Sequence, residues 1–182
     1  MRLTNAAAVP IPDRLARRPR DKRGYPIPYA VMVDSNGVPD FRVTDIEKWV
    51  FAVQHKRCGL CGEPLGARMA FVGGPKCHKY RVFTDLPMHR DCAEYALRVC
   101  PYLALPRATH ALHYQTGQQK GDYTLRVTES ASTEKPDRFV LGIAKSYTPL
   151  RLPDSSYGLQ AAPWQETVWW KDGEVMQPQP AD

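Results

Sequence analysis

Cys58-Gly59-Leu60-Cys61-Gly62 and, after 26 intervening residues, His89-Arg90-Asp91-Cys92 are the stretches whose reading decides this fold. The glycines of the first stretch permit the left-handed turn that brings two thiolates to one point and lets backbone amides donate to the sulfurs. In the second stretch, His89 and Cys92 stand at i and i+3 in the first turn of a helix predicted from about His89 to Val99. That spacing puts both on one side of the helix, where the positive end of its dipole favours thiolate. Two ligands from a knuckle and two from elsewhere, all soft or borderline, are the donor set of a tetrahedral structural Zn2+. Cys58, Cys61, His89 and Cys92 are therefore the predicted zinc ligands.

Three other readings of the same residues stay open in the sequence. The cysteines are a reduced buried pair beside an unrelated surface histidine, or a redox pair, although the βαβ context of that pair is missing. Alternatively, Cys77 or His78 replaces one of the four ligands. Cys100 lies eight residues beyond Cys92, roughly 12 Å along a continuous helix. It is too far to share the ion and is expected to pack in the core. Cys77 and His78 are expected in a loop.

Working outward, Tyr29 to Asp34 reads as a strand, Ser35-Asn36-Gly37 as a tight turn, and Val38 to Val43 as the returning strand. Thr44-Asp45-Ile46-Glu47 has the pattern of a capping box. The helix it opens, ending near His55, carries Ile46, Trp49, Val50 and Val53 at the spacing of one apolar face. Arg68 to Val72 and Tyr80 to Phe83 read as short strands separated by Gly73-Gly74-Pro75. Pro101 stops the second helix. Tyr123 to Val127, Phe139 to Ile143 and Thr167 to Trp170 are further strand candidates, and Lys171-Asp172-Gly173-Glu174 is a second hairpin turn. Knuckle, β-hairpin, then a helix with the last two ligands is an order that resembles the treble-clef zinc fold. The expected class is α+β: a small treble-clef zinc core with flanking β-hairpins and short helices.

Residues 1–23, broken by Pro10, Pro12 and Pro19, are expected to form a basic flexible arm. Residues 24–176 are expected to form one α+β domain, with the zinc core at about 56–103 and a β-rich part at about 121–176. Residues 177–182 are expected to fray. The 17 prolines among 182 residues, about double the usual 5%, favour short elements over long helices. No apolar run approaches the ~18–20 residues of a membrane span. The N-terminus is too weakly hydrophobic for a secretory segment, so a cytoplasmic protein is expected. An odd count of five cysteines, two of them as Cys-x-x-Cys, in that compartment favours metal binding or redox chemistry over a disulfide framework.

The net charge is +6. Residues 1–57 hold 11 Lys/Arg against 6 Asp/Glu, so most of the excess lies upstream of the first cysteine. Arg17, Arg18, Arg20, Lys22 and Arg23 are candidate contacts to phosphate or to an acidic partner, or else a solvated arm. Trp169 and Trp170, adjacent in a strand, point to opposite faces. They form a candidate partner surface, or else one is buried and the other lies under a loop.

As an enzyme, a chain of this order would be an HNH-type metal-dependent nuclease, whose chemistry needs a histidine base and helix ligands for a catalytic ion. Here Asp85-Leu86 puts leucine at the base position, and the zinc already uses the helix positions. Deaminase chemistry needs His-x-Glu followed by Pro-Cys-x-x-Cys, whereas residue 91 is Asp and no proline precedes Cys58. No catalytic residue is assigned. A zinc-stabilised binding protein is expected, with the diverged nuclease as the alternative.

Gly24-Tyr25-Pro26-Ile27-Pro28, Arg57 to Gly66, Phe71 to Pro75, His89 to Glu94 and Cys100-Pro101-Tyr102-Leu103 together resemble a phage- and prophage-associated family without an assigned activity. The likeness covers residues 22–106 well and the C-terminal third loosely. It implies a phage or mobile-element origin, action in the bacterial host cytosol, and a host protein or nucleic acid as partner.

Overall fold

The computed structural model describes residues 8–106, 119–120, 123–124 and 135–177. Its centre is β7 (Phe139–Ala144), in which all six residues are buried. A strand apolar on both faces must be covered on both, and β7 lies inside the sheet order β11-β10-β7-β3. The antiparallel neighbours are β3 (Met69–Gly73) and β10 (Glu166–Lys171), with Phe71 opposite Gly142 and Val168 opposite Leu141. At the far edge, β11 (Glu174–Val175) follows β10 through the expected turn, where Asp172 (φ 50°) and Gly173 (φ 86°) both take left-handed backbone.

Side chains alternate across this sheet, as strand geometry requires. Ala70 and Val72 of β3, with Phe139, Leu141 and Ile143 of β7, pack beside Cys92, Ala93 and Leu97 of α4 (Arg90–Val99). Met69, Phe71 and Ala144 point the other way, onto Phe83 and Ala161. Gly142 lacks a side chain on that second face because Trp164 lies there, 2.6 Å from where its Cβ would stand. The second face is covered by a smaller sheet of order β4-β9-β8, made of β4 (Val82–Phe83), β8 (Tyr147–Arg151) and β9 (Tyr157–Ala161).

The chain is thus α+β, with short helices and several sheets, and the segment 56–103 shares its main sheet with the C-terminal strands. Tyr123 to Thr124 is strand β6, paired with β5 (Gln119–Lys120). Residues 125–127 of the expected strand, 1–7 of the expected arm and 178–182 of the expected tail lie outside the described residues.

Three local expectations are corrected. Arg68 to Phe83 is not a two-stranded hairpin. Pro75, with φ preset for a first helical turn, opens α3 (Pro75–Tyr80), and Arg81 ends it in left-handed backbone at φ 54°. Cys77 and His78 therefore ride on a helix, and β4 pairs with β9, not β3. Of the hairpin joining knuckle to helix, one bridge remains: Ala70 and Met88 each donate to the other's carbonyl at 2.8 Å.

The cap of α2 (Ile46–Gln54) is Asp45, not Thr44. Asp45 accepts from the amides of Glu47 and Lys48 at 3.1 Å each, while Thr44 ends β2 (Pro39–Thr44), the partner of β1 (Val31–Val33). A carboxylate at this position also meets the helix dipole. The buried face of α2 is Trp49 and Ala52, with Val53 half-buried, and Trp49 donates its indole N–H to the Thr84 carbonyl at 2.9 Å. Ile46 and Val50 point to solvent.

Finally, residues 8–23 of the expected arm lie against the body. Leu15, in the short helix α1 (Asp13–Ala16), is 2% exposed and shares a cluster with Cys58, Cys61 and Cys92. Arg14 pairs with Asp91 at 3.2 Å, Arg17 with Glu63, and the Arg18 Nε donates to the Ile27 carbonyl.

Candidate metal centre

The knuckle closes on itself before any ligand is considered. Gly62 donates to the Cys58 carbonyl, and the Cys58 amide donates to the Glu63 carbonyl, both at 2.9 Å. Gly62 sits at φ 81° with the Tyr29 ring 2.7 Å from a hypothetical Cβ, so both backbone and space demand glycine. Gly59 is set by packing alone: a Cβ there would stand 2.7 Å from Leu86 Cβ. The Glu63 amide points at the Cys61 sulfur from 3.5 Å, the amide-to-sulfur contact the glycines were expected to allow.

The other half comes from α4. His89 is its N-cap residue and Cys92 lies in its first turn. The Ala70–Met88 bridge holds the residue just before His89 against β3, which carries the helix start to the knuckle.

These two halves converge. One ligand atom from each of Cys58, Cys61, His89 and Cys92 lies within 4.8 Å of the others. Cys58 and Cys92 are fully buried and Cys61 is 7% exposed. None of the three is in a disulfide. Tetrahedral zinc, with bonds of about 2.3 Å to sulfur and 2.0–2.1 Å to nitrogen, spaces its ligand atoms roughly 3.6–3.8 Å apart. The Cys61 Sγ to His89 Nδ1 distance is 3.4 Å. The orientation of His89 fits as well: its Nε2 lies 3.0 Å from the Pro64 carbonyl. With the proton on Nε2 donated to that carbonyl, Nδ1 is left as the free lone pair facing the sulfurs. A metal-bound histidine characteristically carries such an outer partner.

The thiols themselves point to a cation. Hydrogen bonds from Cys61 and then Cys92 hold the Cys58 thiol far below its ordinary range. The same contact with Cys58 pushes Cys61 up to about 11, and contacts with Cys58 and Cys61 push Cys92 up. Held this close together, three thiolates would repel one another. A divalent ion at their centre stabilises all three as thiolates. The site thus fits a metal ion, with Cys3His donors suited to zinc.

The other sequence candidates fall elsewhere. Cys77 packs beside Gly73 and Phe83, and burial raises its thiol, as it does that of Cys100, so neither has thiolate character. His78 stacks parallel to Trp164 and tilts against Trp169 at 5.0 Å. Among the described residues no second group of three or more His, Cys, Asp or Glu side chains converges, at His78 and Asp85 or elsewhere.

Trp170 is 2% exposed in the core, under the Arg98 guanidinium, and leaves the candidate partner surface. Trp169 is half-buried, with the Arg138 guanidinium 4.6 Å over its ring. Arg17 and Arg23 are engaged with Glu63 and Asp21, whereas Arg20 and Lys22 are exposed and make no ion pair among the described residues. The Pro64 carbonyl and the Arg14–Asp91 pair were invisible in the sequence, because a backbone acceptor carries no residue signal and the pair joins segments 77 residues apart.

In comparisons with known proteins, no family profile, no curated protein and no solved structure matches this chain. No helix among the described residues is long and apolar enough to cross a membrane.

The geometry at His89 yields a prediction. His89→Ala is expected to leave a three-thiolate site and to weaken metal binding by about 10–100-fold or more, since even loss of an outer-shell partner costs that much. His89→Cys, which restores a fourth donor of structural-zinc type, is expected to keep one metal per chain. Competition with a chromophoric chelator measures both.

Proposed function

We propose that this chain is a zinc-stabilised binding protein with no catalytic role for its metal. The observation that carries this reading is the closed donor set. Four side chains meet at one point, and the second nitrogen of His89 is occupied by the Pro64 carbonyl. A zinc ion with four protein ligands has no open position for water or substrate, which is the mark of a structural site. The ion ties the knuckle to α4 and so fixes the surface that the protein presents.

The partner is a macromolecule of a bacterial host, protein or nucleic acid, met in the cytoplasm. The phage association follows from the sequence resemblance alone. Nucleic acid has the more specific support: the net charge of +6, the exposed Arg20 and Lys22 with no ion pair among the described residues, and Arg138 over the Trp169 ring. Exposed cations and a guanidinium laid over an aromatic ring are each of the kinds of group that single-strand binding surfaces use.

The test is titration of a fluorescent oligonucleotide at about 50 and 200 mM salt. Affinity is expected to fall steeply with salt, and Arg20→Ala and Lys22→Ala are each expected to reduce the salt slope by about 1. Absence of binding at the lower salt would move the partner to the protein class. Plasmid cleavage with added Mg2+ or Mn2+, abolished by His78→Ala, would replace the binding reading with the diverged nuclease.

A further inference from the structure

The helix α2 is apolar on two sides. At about 100° per residue, Trp49, Ala52 and Val53 form the stripe that meets the core. Ile46, Val50 and Phe51 fall on the solvent side with Glu47 and Gln54 among them, and these five residues line one shallow groove. Ile46 is 53% exposed, Val50 38% and Phe51 42%. A surface helix ordinarily carries its charged residues opposite the core. Here the solvent side carries three large apolar side chains around Glu47 and Gln54, and covering them would remove apolar area from water.

The charges at the two ends of the stripe indicate what covers it. Glu47 stands at the N-terminal end and makes no ion pair among the described residues. Arg57 stands just past the C-terminal end, with its guanidinium 5.5 Å from the Phe51 ring centroid. It donates one N–H to the Gly62 carbonyl, while its buried Nε has no partner and it forms no ion pair among the described residues. His55 stacks on the same Phe51 ring at 4.1 Å. One end of the stripe is therefore acidic and the other basic, with apolar residues between. Two such helices laid antiparallel about a two-fold axis near Val50 and Phe51 match apolar centre to apolar centre. The same operation sets Glu47 of each beside the Arg57 end of the other and opposes their dipoles favourably. A two-fold interface requires this kind of self-complementarity, and a partner of arbitrary sequence has no reason to meet it.

We propose that the Ile46–Val50–Phe51 face of α2 is the contact surface for a second copy of this chain, in an antiparallel two-fold helix pair closed by Glu47–Arg57 contacts. A single nine-residue helix gives a small interface. The dimer is accordingly weak, with a dissociation constant on the order of 10 µM, in the range of interfaces below about 1,200 Å2. Ile46, Glu47, Val50 and Phe51 belong to neither the metal site nor the nucleic-acid reading, whereas Arg57 also donates to the knuckle at Gly62, so the metal content of Arg57→Glu is measured beside its dimer constant.

Sedimentation equilibrium of the full zinc-loaded chain between about 1 and 200 µM is the test. Wild type is expected to pass from monomer to dimer across that range, and Phe51→Glu, at an exposed position, to shift the midpoint upward at least tenfold. Glu47→Arg and Arg57→Glu are each expected to weaken the dimer, and the double exchange to restore most of the wild-type constant. Circular dichroism confirms that each variant keeps the fold. A wild-type chain that stays monomeric at 200 µM overturns the proposal. So does a dimer unchanged by Phe51→Glu, or a double exchange no better than the single ones.

Discussion

Cys58→Ser is expected to remove the metal and to lower stability by at least about 4 kcal/mol, a fall in melting temperature of roughly 10–15 °C for a chain of this size. Cys58 is fully buried, so the variant leaves a buried hydroxyl where a metal bond had been. The consequences spread through elements that depend on the knuckle. The Met88 segment meets β3 by one bridge only. The N-terminal segment is held by Arg17 on Glu63, Arg14 on Asp91, and Leu15 in the cluster of the three ligand sulfurs. Structural zinc contributes about 10–16 kcal/mol of apparent binding energy in small zinc modules, comparable to the whole net stability of an ordinary domain. Here the four-stranded sheet supplies a core of its own, so the loss is large without abolishing all structure. Trypsin is expected to cut after Arg14 and Arg17 in the variant or after chelation, and not in the loaded protein. Cys77→Ser, away from the site, is expected to melt without that loss of metal. Acid acts in the same direction as chelation, because each thiolate must take up a proton as the metal leaves, so affinity falls as pH falls.

Phe71→Ala is the second large effect, expected at about 3–5 kcal/mol. Phe71 is 1% exposed on the face of β3 that looks away from the metal. Its ring meets Phe83 at 5.1 Å, Trp164 at 6.2 Å and Tyr147 at 6.3 Å. Truncation leaves a cavity between the two sheets that Trp164 cannot fill, because Trp164 is seated over Gly142 and donates its indole N–H to the His78 carbonyl at 3.2 Å. Urea denaturation gives the stability change. The metal content at low temperature is expected to stay at one per chain, which separates this variant from Cys58→Ser and shows that the two halves of the core fail by different routes.

The contrast also explains what the sequence could disclose. Ligand spacing is a local, chemically restrictive signal, so the knuckle and the start of α4 could be placed from Cys58, Cys61, His89 and Cys92 alone. The apolar run of β7 and the Asp172-Gly173 turn were legible for the same reason: each states its own conformation. The strand β8 was missed because Pro149 reads against a strand. It is tolerated there because β8 is an edge strand. The helix α3 was missed because Tyr80 to Phe83 has strand character and nothing nearby shows that the partner of β4 lies some 75 residues downstream, in β9. For α2, periodicity supplied one apolar face of Ile46, Trp49, Val50 and Val53. Only the docking of Trp49 on the Thr84 carbonyl turns the helix so that Trp49 and Val53 meet the core while Ile46 and Val50 face solvent.

The most direct test of the metal assignment is X-ray absorption at the zinc edge on protein purified without added metal. A first shell of three sulfurs at about 2.3 Å and one nitrogen at about 2.0–2.1 Å, with no oxygen, is the result expected from Cys58, Cys61, His89 and Cys92. A shell containing water, fewer than three sulfurs, or an unchanged signal in Cys58→Ser would contradict it.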